Sequence, residues 1–118
     1  MIYIIDDNLE MAECIAKATG RAKETKIFDN VVVAINAINE EIPELIIMEV
    51  LLTGPDGFTF LNEIMSYTDT MQIPIVIVSE VELCDMDLSV YGVVGVLSKD
   101  TMRPEDIRGY VQKYVEGK

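Results

Sequence analysis

Residues 45–49 read Leu45-Ile46-Ile47-Met48-Glu49: four apolar side chains in succession, then a carboxylate. A strand with one wet face alternates apolar and polar residues, whereas a strand covered on both faces is apolar throughout. This run is therefore expected to be a buried strand of a parallel sheet. Four more short runs recur along the chain: Ile2-Tyr3-Ile4-Ile5, Lys26-Ile27-Phe28, Ile75-Val76-Ile77-Val78 and Val93-Val94-Gly95-Val96-Leu97. Most are continuously apolar. The second is the weakest and most polar, as an edge strand would be.

Helical spacing fills the gaps. Met11, Cys14, Ile15 and Ala18 fall at i, i+3, i+4 and i+7, with Asn8 as N-cap and Gly20 as stop. Val31, Ala34, Ile35 and Ile38 repeat the spacing after Asn30, and Pro43 ends the segment. Asp56-Gly57 precedes a third helix with Leu61, Ile64 and Met65. Leu83, Cys84 and Leu88 suggest a fourth, less regular one. Pro104, Glu105 and Asp106 open a fifth, in which Ile107, Tyr110, Val111 and Tyr114 share a face. Strand and helix alternate five times. Right-handed crossovers then make an α/β three-layer sandwich, with helices on both faces of a five-stranded parallel sheet. No linker or repeat interrupts it, so residues 1–118 are expected to be a single domain.

The composition excludes whole classes of function. The 118 residues carry 21 acids, 9 bases and no histidine, a formal net charge of −12. Such a surface suits neither nucleic acid nor an anionic membrane. Without histidine there is no Ser-His-Asp triad, no Cys-His dyad and no His-ligated metal. No apolar run approaches the ~20 residues of a membrane helix, and the N-terminus has no signal-peptide core. Cys14 and Cys84 have no metal-ligand spacing and read as buried small hydrophobes in a reducing compartment. A cytoplasmic location is expected.

In an open α/β sheet, ligands bind beyond the carboxyl ends of the strands. Asp6 and Asp7 follow the first strand, Glu49 the third, Ser79 and Glu80 the fourth, and Lys99 the fifth. Taken singly, paired aspartates are most often turn formers, a serine followed by Glu82 three residues later is a helix cap, and a lysine is a surface charge. Strands about 4.8 Å apart let the whole set converge on one crevice. Hard oxygen donors of this kind suit Mg²⁺ over zinc or copper.

Together, Asp6-Asp7, the stretch Leu45 to Gly57, Pro74 to Ser79 and Gly95-Val96-Leu97-Ser98-Lys99 resemble the receiver domain of two-component response regulators, over essentially the whole chain. The resemblance implies a flavodoxin-like (CheY-like) fold with strand order 2-1-3-4-5. It implies phosphorelay signalling rather than enzyme activity, with partners among histidine kinases, output domains and other signalling proteins. It implies that Asp6, Asp7 and the Leu51 carbonyl hold Mg²⁺; the longer Glu49 is either a further ligand or fills the metal position itself. Ser79 and Lys99 would meet phosphoryl oxygens. In the family, the face of the fourth helix, fifth strand and fifth helix forms dimers, and here Tyr91, Tyr110 and Tyr114 are its interface candidates. For Tyr110 and Tyr114 the plain alternative is that they pack the last helix on the sheet.

Departures from the pattern set the functional expectation. Glu49 stands where the phosphoacceptor aspartate should be, and is one methylene longer. In-line transfer depends on positioning, and about 1 Å of misplacement costs on the order of a hundredfold. Glu80 replaces a small residue that would admit the phosphodonor, and Val96 a switch aromatic. Thr53 and Asp100 replace prolines common in those loops. The expectation is a pseudo-receiver that signals without aspartyl phosphorylation, with Glu49 paired to Lys99. Two unit charges about 4 Å apart attract by about 4 kcal/mol at an effective dielectric near 20, less after desolvation. Two other readings stay open. One is a structural interaction module with a relic acidic pocket. The other is a small Mg²⁺-dependent phosphotransfer enzyme with Asp6 or Asp7 as nucleophile.

Overall fold

The computed structural model describes residues 1–50, 57–80 and 91–117. The chain runs through β1 (Ile2–Ile5), α1 (Leu9–Ala18), a 3-10 turn (Ala22–Glu24), β2 (Thr25–Phe28) and α2 (Val31–Glu40). It continues through β3 (Leu45–Met48), α3 (Gly57–Met65), β4 (Ile75–Ser79), β5 (Val93–Ser98) and α4 (Pro104–Val111), which continues into a π-helical turn (Gln112–Glu116). The strands form one parallel sheet in the order β2-β1-β3-β4-β5. That is the flavodoxin-like arrangement, with the polar strand β2 at an edge. The helix expected around Leu83, Cys84 and Leu88 lies outside the described residues.

The apolar runs are continuous because alternate residues serve two cores. Tyr3, Ile5, Ile46, Met48, Ile75 and Ile77 face the layer of α2 and α3. Ile2, Ile4, Leu45, Ile47, Val76 and Val78 face α1 and α4. Asn8 caps α1 as expected and Asn30 caps α2, accepting from the backbone N–H groups of Met11 and Val33. The Tyr3 hydroxyl donates to the Glu41 carbonyl at 2.9 Å and ties the end of α2 to the sheet. Burial, reinforced by the charges of Glu41 and Glu40, raises its pKa.

Three sequence expectations need correction. Cys14 is exposed, not buried. The inward stripe of α1 is Ala12, Ile15 and Ala16, because the small alanines let the helix lie close to the sheet. Cys14, Ile15 and Ala18 instead line a shallow cavity of about 150 Å³ with Met102, Pro104 and Ile107. The third concerns β5, which is not covered on both faces. It is the other edge of the sheet, and its residues alternate between half-buried and exposed, with Val94 and Val96 outward. A register shift between Ile75 and Val76 inserts Val94 as an extra residue, so that Gly95 pairs with Val76.

Candidate functional site

The sheet ladder carries on one residue past three strand ends. The backbone N–H of Asp6 donates to Phe28, that of Glu49 to Ile5 and that of Lys99 to Ser79, at 2.9–3.0 Å. These bonds fix three residues on the carboxyl edge before any side chain is placed. Lys99 then reaches across the sheet. Its Nζ lies 2.8 Å from Asp6 Oδ2 and 3.2 Å from Glu49 Oε1. All three side chains are at least nine-tenths buried.

The carboxylates are held from behind. Asp6 Oδ1 accepts from the Asn8 N–H at 2.9 Å, and Glu49 Oε2 from the Val50 N–H at 2.8 Å. Asp6 Oδ2 accepts no well-angled hydrogen bond. Its contact with Lys99 is therefore mainly Coulombic, although 2.8 Å is short enough for a hydrogen bond. Burial by itself pushes the Lys99 ammonium down. The close contact and charge of Asp6, joined by those of Glu49, outweigh it and hold Lys99 above its ordinary value.

The remaining sequence candidates are spread more widely. Ser79 is fully buried at the end of β4. Asp7 and Glu80 are exposed at the same edge. Leu51 lies outside the described residues. Tyr91, Tyr110 and Tyr114 are half-buried. Tyr110 and Tyr114 pack against the α1–α4 core and stack on each other at 6.5 Å between centroids. Sequence reasoning missed Gly95, over which the Tyr110 ring and hydroxyl lie. The signal was present: an isolated glycine inside an apolar strand marks a close approach.

Mg²⁺, which the sequence resemblance implies, meets a poor fit. A buried carboxylate oxygen without a directed hydrogen bond, such as Asp6 Oδ2, is the donor a cation would seek. The Lys99 ammonium already stands against it. Among the described residues, no three acidic or cysteine side chains close around a common point. In this structure the Asp6 and Glu49 carboxylates hold the Lys99 ammonium.

Comparisons with known proteins bear on the fold and the family. The structure superposes on the receiver domain of NtrX from Brucella abortus with a TM-score of 0.83 at 21% identity, covering 100% of both chains. It superposes on a putative response regulator from Chloroflexus aurantiacus with a TM-score of 0.79 at 21% identity, covering 98% of this chain and 96% of that one. For the Mn²⁺-bound form of response regulator Rcp1 the TM-score is 0.79 at 18% identity, covering 98% and 94%. At these identities the likeness shows the fold. No curated protein matches the sequence. A family model described as the response regulator receiver domain matches residues 2–112, so the chain belongs to that family, the signalling domain of two-component systems.

Proposed function

We propose that residues 1–118 form a single receiver domain that signals without phosphorylation of its acceptor position. One observation carries the reading. The Glu49 carboxylate has Lys99 on one oxygen and the Val50 N–H on the other. In-line transfer needs an oxygen at a set place before the donor phosphorus, and here Lys99 and the Val50 N–H fix both oxygens of a side chain one methylene longer than aspartate. The exposed Glu80 adds a negative charge at the mouth, where an anionic phosphodonor would enter. Glu49 thus works as a fixed charge, and Lys99 stays on it in place of a phosphoryl group.

Incubation with acetyl phosphate and millimolar Mg²⁺, read by intact mass, tests this. Wild type is expected to gain no phosphoryl group, and a stable adduct on Glu49 overturns the proposal. Glu49→Asp shortens the side chain by one methylene and is expected to gain labelling.

Receiver domains typically hold Mg²⁺ at this acidic pocket, and the solved form of Rcp1 holds Mn²⁺. In this chain we assign the cation's place to the Lys99 ammonium, which shares Asp6 and Glu49. Mg²⁺ at 10 mM, on the order of ordinary assay concentrations, is expected to leave the wild-type melting temperature unchanged. A saturable rise, with heat of binding by calorimetry, would show that a divalent ion displaces Lys99.

A receiver passes its state to protein partners such as kinases or output domains. For the dimer face the observation that counts is β5, an edge strand with Val94 and Val96 exposed. Those two valines, more than Tyr110 and Tyr114, are the apolar side chains it offers.

A further inference from the structure

From residue 27 to residue 98 the sequence contains no Lys, Arg or His, yet it holds more than half of the 21 acids. The fold turns this into a difference between faces. The helices α2 and α3 come from that stretch and cover one face of the sheet. The bases other than Lys99 fall on α1, the turn after it, β2 and the last helix with its tail. The α2–α3 side therefore lacks cations of its own. Lys26 borders it from the edge strand, 3.9 Å from Glu41.

A second observation is independent of charge. Among the described residues, the exposed large apolar side chains of this stretch sit on α2, after α2 and after α3, with Val94 and Val96 apart on the edge strand β5. Val32 and Val33 on α2 are 52% and 49% exposed, and Tyr67, just past α3, is 55% exposed. Along the outer side of α2, Val32 and Val33 fill the first turn, Asn36 and Asn39 follow, and Glu40 and Glu41 close the far end. A helix of this length spans about 15 Å, enough to bed two turns or more of a partner helix. A surface helix normally turns charge outward. This one turns paired valines outward at one end and carboxylates at the other.

We propose that the α2–α3 side is a docking surface for a cationic amphipathic helix of a protein partner. The partner's apolar stripe would cover Val32 and Val33 on the first turn of α2. Its Lys and Arg residues would meet the carboxylates at the end of α2. Charge complementarity selects this occupant: an apolar patch that is anionic and free of bases repels acidic partners and attracts basic ones. The surface lies on α2 and is separate from the Asp6–Glu49–Lys99 pocket, so it stands or falls apart from the phosphorylation reading.

The probe is a synthetic 18-residue peptide of Leu and Lys at helical spacing. A scrambled peptide of equal charge and no apolar stripe is the control. Amide chemical-shift changes on the 118-residue chain are expected along α2. Fluorescence anisotropy should show at least tenfold weaker binding of the scrambled peptide. The doubly substituted Val32→Ser, Val33→Ser protein should lose at least tenfold, and Glu40→Gln with Glu41→Gln should flatten the salt dependence. The exposed sites keep these variants folded, which a thermal melt confirms. Shifts confined to α1 and α4, equal binding of both peptides, or a dimer of this chain that Val33→Ser dissolves would each overturn the proposal.

Discussion

Lys99→Met is expected to lower stability by about 3–5 kcal/mol, because it leaves two buried carboxylates facing each other with no counter-charge. At roughly 4 °C per kcal/mol for a chain of this size, the melting temperature should fall by more than 10 °C. The loss measures the stranding of Asp6 and Glu49 rather than the net strength of the ion pairs. Restoring neutrality with Asp6→Asn and Glu49→Gln in the Lys99→Met background should recover a large part of it. If Lys99→Met melts within 2 °C of wild type, roughly the scatter of surface substitutions, the triad is not the buried network described. The pH dependence follows from the direction of the Lys99 shift. Its folded value lies above the ordinary 10.5. Its contribution is therefore full below 10.5, and is lost as pH rises through the folded value. Chemical-denaturation midpoints should show the Lys99→Met difference as constant across neutral pH and shrinking only in strong alkali.

Gly95→Ala is the second large effect, about 1–3 kcal/mol from overpacking. An added Cβ would collide with the hydroxyl oxygen and Cζ of Tyr110 and would stand 2.7 Å from its Cε1. Tyr110 cannot retreat freely, because its ring is stacked on Tyr114. The cost should largely vanish in a Tyr110→Ala background, giving a double-mutant cycle with a coupling above about 1 kcal/mol by urea unfolding. Strict additivity would mean that the two residues do not touch in solution.

Much of this molecule was legible from residues 1–118 alone, for identifiable reasons. Strands covered on both faces leave an unmistakable mark, so β1, β3 and β4 were plain. Their ends pointed to Asp6, Glu49 and Ser79, and the end of β5 to Lys99. Helix caps are local chemistry, so Asn8 was plain as well. The inward face of α1 was harder to read, because hydrophobic spacing weights Met11 and Cys14 above Ala12 and Ala16, while close packing on a sheet prefers the alanines. The outward valines of β5 were hidden by an apolar run that looked like its neighbours, since an inserted residue and an edge position leave no trace in composition. The choice of partner for Lys99 was the least legible feature. Pairing with Glu49 follows from strand-end logic. The shorter contact to Asp6 depends on how far a four-carbon chain reaches across two intervening strands.

The triad also has a consequence in time. Asp6 comes from the first strand, Glu49 from the third and Lys99 from just beyond the fifth. During synthesis both acids emerge long before their counter-ion does, and the 72-residue interval from 27 to 98 supplies no substitute cation. Three strands of the sheet can align, but the edge that carries the two acids cannot close dry until the last strand arrives.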